Sequence, residues 1–171
     1  MFKLGQTILH GNQGVCTVEA IGPQNFTGRQ EARIYYTLSP VHHEGTLFVP
    51  VDSAVFLREV ITKEAAEDLI RQIPSVETEP FEQRNPRLID EHYQTLLRSH
   101  DCIDLVRIIK TLLVKRRTVA KNGKRLGQME ERYLKRAKQM LYDELAVALD
   151  IPIDDVPDYV RNAIKQLEKE T

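Results

Sequence analysis

The chain has 171 residues, 42% of them hydrophobic and 29% charged, enough apolar mass for one ordinary domain or two small ones and too much for general disorder. Its 24 Lys and Arg nearly balance 25 Asp and Glu, but the signs are segregated: residues 1–80 hold 6 basic and 10 acidic side chains, residues 98–138 hold 13 and 4, and residues 139–171 hold 3 and 8. No run approaches the ~18 apolar residues of a membrane span, and Cys16 and Cys102 are too few for a disulfide scaffold or a zinc cluster.

The opening residues lack the charged n-region and unbroken apolar run of a secretory signal, so a cytoplasmic protein is expected. Residues 5–10 form a first strand candidate, and Gly11-Asn12-Gln13-Gly14 supplies a turn whose glycines tolerate positive φ. Residues 15–21 are rich in β-branched side chains and predict a second strand that stops at Gly22-Pro23. Residues 33–38 predict a third strand and residues 46–50 a fourth, with Pro50 closing a strand or lying at an edge. Four or five short strands in about 55 residues fit a small, bent antiparallel β-barrel of the SH3 or Tudor type, which has a thin core and works by presenting a surface.

Helical periodicity takes over at Thr62, which can cap a helix ending near Ile73 before Pro74. Residues 74–86 contain three prolines and predict a linker or an extended crossing segment. A short helix is expected from about Leu88 to Arg98. Asp101 then caps another helix, whose Cys102, Leu105, Val106, Ile109, Leu112 and Leu113 share one stripe. That stripe makes Cys102 a packing residue. A basic loop spans residues 118–127, and the next helix, from about Gln128 to Leu149, turns Tyr133, Ala137, Met140, Leu141 and Leu145 inward. An acidic link over residues 150–157 precedes a final helix over residues 158–168. Four to five helices joined this closely predict a compact bundle. The division expected is a β domain over 1–60, a connecting helix over 61–73, the Pro-rich segment over 74–86, and a helical domain over 87–171.

Catalytic and cofactor chemistry find no support. His42 and His43 are adjacent and point to opposite sides of a strand, without a Cys or acidic partner at ligand spacing. The glycines of 11–14 are followed by neither Lys-Ser nor Lys-Thr, so no phosphate-loop pattern is met. No Ser/His/Asp or Cys/His set converges, and the chain reads as a non-enzyme without cofactor, metal or small-molecule substrate. The basic block in an otherwise acidic chain points instead to a polyanion.

Several segments, in this order, resemble the CarD/CdnL family of bacterial RNA polymerase-binding transcription regulators: Gly5-x-Thr7 through Gly14, Val18-Glu19-Ala20-Ile21, Leu47-Phe48-Val49-Pro50-Val51-Asp52-Ser53-Ala54, and the run Arg132 to Ala146. The resemblance implies a Tudor-like domain that docks on the RNA polymerase β subunit, here through Arg33, Tyr35, Thr46, Leu47, Phe48 and Pro50. It implies a helical domain that contacts promoter DNA at the upstream edge of the bubble and stabilises the open complex, mostly through phosphates and without strong sequence specificity. The residues matching that role are Arg87, Arg116, Arg117, Lys121, Lys124, Arg125, Arg132, Lys135 and Arg136. A monomer is expected, with no membrane partner.

Two positions depart from the family pattern. Members place a Trp wedge at the start of the first bundle helix, whereas this chain has no Trp and carries Asn85-Pro86 there; Phe81 lies about five residues early. Some relatives have Arg where this chain has Phe48, which makes a contact there apolar, and alternation leaves open whether Phe48 or its neighbours face outward. Two other readings stand beside the leading one: a polymerase-binding adaptor without a productive DNA role, and a small RNA-binding module.

Overall fold

The computed structural model describes residues 1–26, 28 and 32–170. The chain divides into two compact units, Met1–Ile61 and Thr62–Thr171. In the first, β1 (Thr7–His10), β2 (Gly14–Gln24), β3 (Arg33–Pro40), β4 (Leu47–Pro50) and β5 (Leu57–Glu59) form one antiparallel sheet in the order β4-β3-β2-β1-β5. Gly14 starts β2 at φ +79°, a left-handed conformation that a side chain would strain, so the turn from β1 needs glycine there. β2 passes through Gly22-Pro23, where the sequence predicts a stop, because that stretch pairs with β3 alone and Pro23 sits opposite Ile34. A register shift between Val18 and Ala20 bends the strand as it leaves β1.

Alternation then builds the core of this unit. Ile8, Cys16, Val18, Tyr36, Leu38 and Val49 are buried together, with Phe2, Ile21, Leu47, Val51 and Leu57 packed over them. The Tyr36 hydroxyl accepts a hydrogen bond from the Phe2 amide at 3.1 Å, so the ring is buried with its polar end satisfied.

The second unit is built of α1 (Lys63–Gln72), α2 (Pro86–Arg98), α3 (Cys102–Ala120), α4 (Gln128–Leu149) and α5 (Val156–Glu170). Thr62, Asn85 and Asp101 cap their helices by accepting backbone N–H bonds from Ala65, Arg87 and Ile103. α3 packs on α4, and the expected stripes are buried except at Leu113, which is half-buried: Leu105, Val106, Ile109 and Leu112 of α3 and Tyr133, Ala137, Met140, Leu141 and Leu145 of α4 are buried, and Ile108 joins them. The helix expected as a connector, α1, packs on α4 and α5 through Ala66, Leu69 and Ile70. It belongs to the helical unit because its apolar face has nowhere else to go. Cys102 is buried as expected, and its thiol also donates to the Glu144 carboxylate at 3.3 Å. Among the described residues, no helix is long and apolar enough to cross a membrane.

Cys16 is fully buried, and burial pushes its thiol up from 9.0 to about 11. The folded state keeps the thiol neutral where the unfolded chain ionises it. The stability this contributes is complete below pH 9 and is lost as pH rises toward 11. Urea titrations of wild type and C16A at about pH 8 and about pH 10.5 should therefore show a larger alkaline loss for the first unit of wild type. Equal losses in the two proteins would mean that another group controls the alkaline limb.

Candidate functional site

The outer face of the β unit carries a cluster of two exposed aromatic rings and a half-buried one, Tyr35. Phe48 is 45% exposed, and Phe26, just beyond the end of β2, is 57% exposed. The Phe26 ring lies 5.0 Å from Phe48 and stands edge-on to Tyr35 at 5.2 Å. Leu47, expected at the same surface, is turned the opposite way onto the core, because side chains alternate along β4. Arg33 is exposed but engaged with Asp52 at 2.8 Å, Thr46 is exposed, and Pro50 is half-buried beside Tyr35.

The backbone of β4 alternates as well. The Val51 amide donates to the Ile34 carbonyl at 3.0 Å, which directs the main-chain groups of Val51, Val49 and Leu47 toward β3 and those of Phe48 away from the sheet. Pro50 has no N–H, and its carbonyl already accepts from the Ser53 amide. Phe48 therefore offers one open donor and one open acceptor on an edge strand, directly beside the aromatic cluster.

In the helical unit, three elements meet at one end. The Tyr133 hydroxyl of α4 donates to Asp90 of α2, to the carboxylate and, at 3.2 Å, to the main-chain carbonyl. Burial first, and that hydrogen bond second, push the phenol up to about 12, so it remains a donor at neutral pH. Arg116 near the end of α3 holds Glu131 in the first turn of α4 by two bonds of 2.8 and 3.2 Å. Lys115 beside it reaches Glu130 at 2.8 Å. A cleft of about 220 Å³ between residues 78–82 and the last turns of α3 brings the approach to α2 to the same end. The start of α2, the end of α3, the loop 121–127 and the start of α4 thus come together at one end of the unit. Arg87, Arg117, Lys121, Lys124, Arg125, Arg132 and Lys135, carried by these elements, are all exposed.

Residues 2–61 match the family model for the CarD-like/TRCF RID domain, and residues 74–161 match the model for the CarD C-terminal domain. The chain belongs to the CarD-like family. That family comprises RNA polymerase-interacting transcription regulators and is not a family of enzymes. In this CarD-like protein the described residues bring no three potential metal ligands together.

The cations of this CarD-like protein divide by the company they keep. Arg116, expected to be available, is occupied by Glu131, and Lys115 is held in a mostly buried pair with Glu130. Arg107 is bound to Asp104 at 2.7 Å. Arg87 touches Glu91 but stays 84% exposed, and Arg136 is half-buried. Arg117, Lys121, Lys124, Arg125, Arg132 and Lys135 point into solvent with no carboxylate within ion-pair distance among the described residues. Phe81, the aromatic nearest the absent Trp, is stacked flat on His92 with centroids 4.0 Å apart and so is used in packing. Pro86 and Leu88 are the exposed apolar groups at the start of α2.

Sequence reasoning missed Phe26 and Lys110. The only signal for Phe26 was an aromatic side chain in a polar stretch. Lys110 gave none, since it resembles any other member of the basic block. Its ammonium donates to the carbonyls of Ile73 at 2.8 Å, Pro74 at 3.2 Å and Val76 at 2.5 Å, and the Glu79 amide donates to Thr111. These bonds fasten the Pro-rich segment along α3 as a crossing strand. K110M should lose about 1–2 kcal/mol of local stability there. Limited proteolysis is expected to cut residues 74–86 faster than in wild type while helical circular dichroism is unchanged; unaltered cutting would remove Lys110 as the fastening.

Proposed function

We propose that this protein regulates transcription initiation by docking on the RNA polymerase β subunit with its β unit and contacting promoter DNA with the basic end of its helical unit. The observation that supports the reading is six exposed cations without an ion-pair partner among the described residues, all within the stretch from the end of α3 through the following loop to the first half of α4. A folded surface with that density of like charge is destabilised by self-repulsion and is relieved by a polyanion. The contacts fall on phosphates, which position the protein without reading sequence. Held at the upstream edge of the bubble, such contacts stabilise the open complex. Pro86 and Leu88 supply the small apolar wedge at that edge, a role Pro and Leu fill in minor-groove binding.

Docking on polymerase rests on the β4 edge. A short strand from the β subunit pairs with the open N–H and C=O of Phe48, and its apolar side chains cover Phe26 and Phe48. With Arg33 occupied by Asp52, the contact is driven by aromatic burial more than by charge. The protein acts as a monomer in the cytoplasm, at the nucleoid when bound to polymerase, and needs no cofactor.

Replacing Phe48 with Asp should leave the β unit folded, since the side chain lies on the outer face, and should weaken binding to the isolated β subunit by about thirtyfold or more, the loss of an aromatic hot spot. L47D, which directs a charge into the core, should instead unfold the unit, as read by circular dichroism. Full binding by folded F48D would place the docking surface elsewhere.

DNA binding should be weak and steeply salt-dependent. If about four of the six cations meet phosphates, log K against log salt has a slope near −3.5, from roughly −0.9 per phosphate. Neutralising Lys124 and Arg132 together should reduce the slope by about 1.8. A wild-type slope near zero would leave polymerase docking without a DNA role, the adaptor reading.

A further inference from the structure

Two ion pairs join α3 to α4 one residue apart, and their surroundings differ sharply. Lys115 and Glu130 retain 28% and 10% of their side-chain exposure, so this pair is largely out of water and locked in the packing. Arg116 and Glu131 retain 43% and 45%, beside the six free cations. The half-exposed pair, unlike the buried one, stays open to water and to a competing anion. We propose that Glu131 is an anionic competitor that occupies Arg116 and sets the affinity of this surface for DNA phosphate.

The proposal rests on the DNA-contacting reading and deepens it. A guanidinium bonds a carboxylate and a phosphate with the same two-pronged geometry, so Arg116 can pass from Glu131 to a backbone phosphate without losing its hydrogen bonds. In wild type that exchange would leave the Glu131 carboxylate unpaired against a polyanion, so Arg116 stays on Glu131 and its phosphate contact is forgone. Glu131 also flanks Arg132 and lies one helical turn from Lys135, two cations expected at phosphates, so its charge opposes them too. The result is a surface held below its possible affinity. That suits a protein tethered by a partner, where the effective concentration does the work of intrinsic affinity and tight free binding to bulk DNA is a liability. Glu130 has no such role, because its partner is buried with it.

The test uses the full-length chain and a fluorescently labelled mixed-sequence DNA duplex, with binding read by anisotropy across a salt series. E131Q releases Arg116 and should steepen the slope of log K against log salt by about 0.9, one further phosphate. Equivalently, its affinity gain over wild type should be about 3.5-fold larger at 50 mM than at 200 mM salt, the ratio that slope implies. In an R116Q background, E131Q should leave the slope unchanged. E130Q should leave it unchanged as well, although that variant is expected to unfold at lower urea. Wild type with a steep slope and E131Q with the same slope would overturn the competitor role while the DNA surface stands. A gain that persists in R116Q would also overturn it, by showing a general charge effect that does not pass through Arg116. Salt-independent binding by wild type and E131Q alike would remove the DNA reading and this inference with it.

Discussion

Antiparallel packing of α3 against α4 decides where the basic block of the helical unit comes to lie. The seam is made of Leu105, Ile109 and Leu112 on one side and Ala137, Leu141 and Leu145 on the other, all buried. Burial of side chains this size contributes about 1.5–3 kcal/mol each, which far exceeds any single surface charge contact. Once the seam forms, the loop 121–127 must reverse the chain within a few residues, and Gly123 takes φ +70° to do so. The same reversal sets the end of α3 against the start of α4. The cations of both helices and of the loop are therefore delivered to one end by apolar packing, at a cost in mutual repulsion that the packing can bear.

That repulsion is managed unevenly. Glu130 and Glu131, in the first turn of α4, favour the positive end of the helix and also take up Lys115 and Arg116. Lys110 is drawn out of the basic block to hold the crossing segment by its carbonyls. What remains exposed is smaller than the +9 of residues 98–138 suggests, and its position is sharper. The difference between a basic segment and a basic surface is the set of neighbours each cation acquires on folding.

The β unit reaches its surface by another route. Strand alternation places Val49 and Leu47 on the core and Phe48 outside, and the ladder to β3 leaves Phe48 with outward main-chain groups. Pro50 ends the edge after this one open residue, which restricts pairing with stray strands. A short open edge and a cluster of three aromatic rings are thereby set side by side, two of the rings separated by more than twenty positions in the chain.

Much of this architecture was legible beforehand. Period-two alternation followed by helical stripes announced a β unit and then a helical one, and Thr62, Asp101 and Pro74 marked helix ends by chemistry that acts within a few residues. Polarity was legible too, because composition alone separates residues 98–138 from their flanks. Long-range contacts were not. The facing of Phe48 depends on the register with β3, and the use of Phe26 depends on its ring contacts with Tyr35 and Phe48. The membership of α1 in the helical unit depends on the exposed faces of α4 and α5. The state of Arg116 and Lys110 depends on partners 15 and up to 37 residues away. A sequence states which groups are charged or apolar, and local chemistry turns that into elements; only packing decides which charge meets a carboxylate, which meets a carbonyl, and which is left facing water.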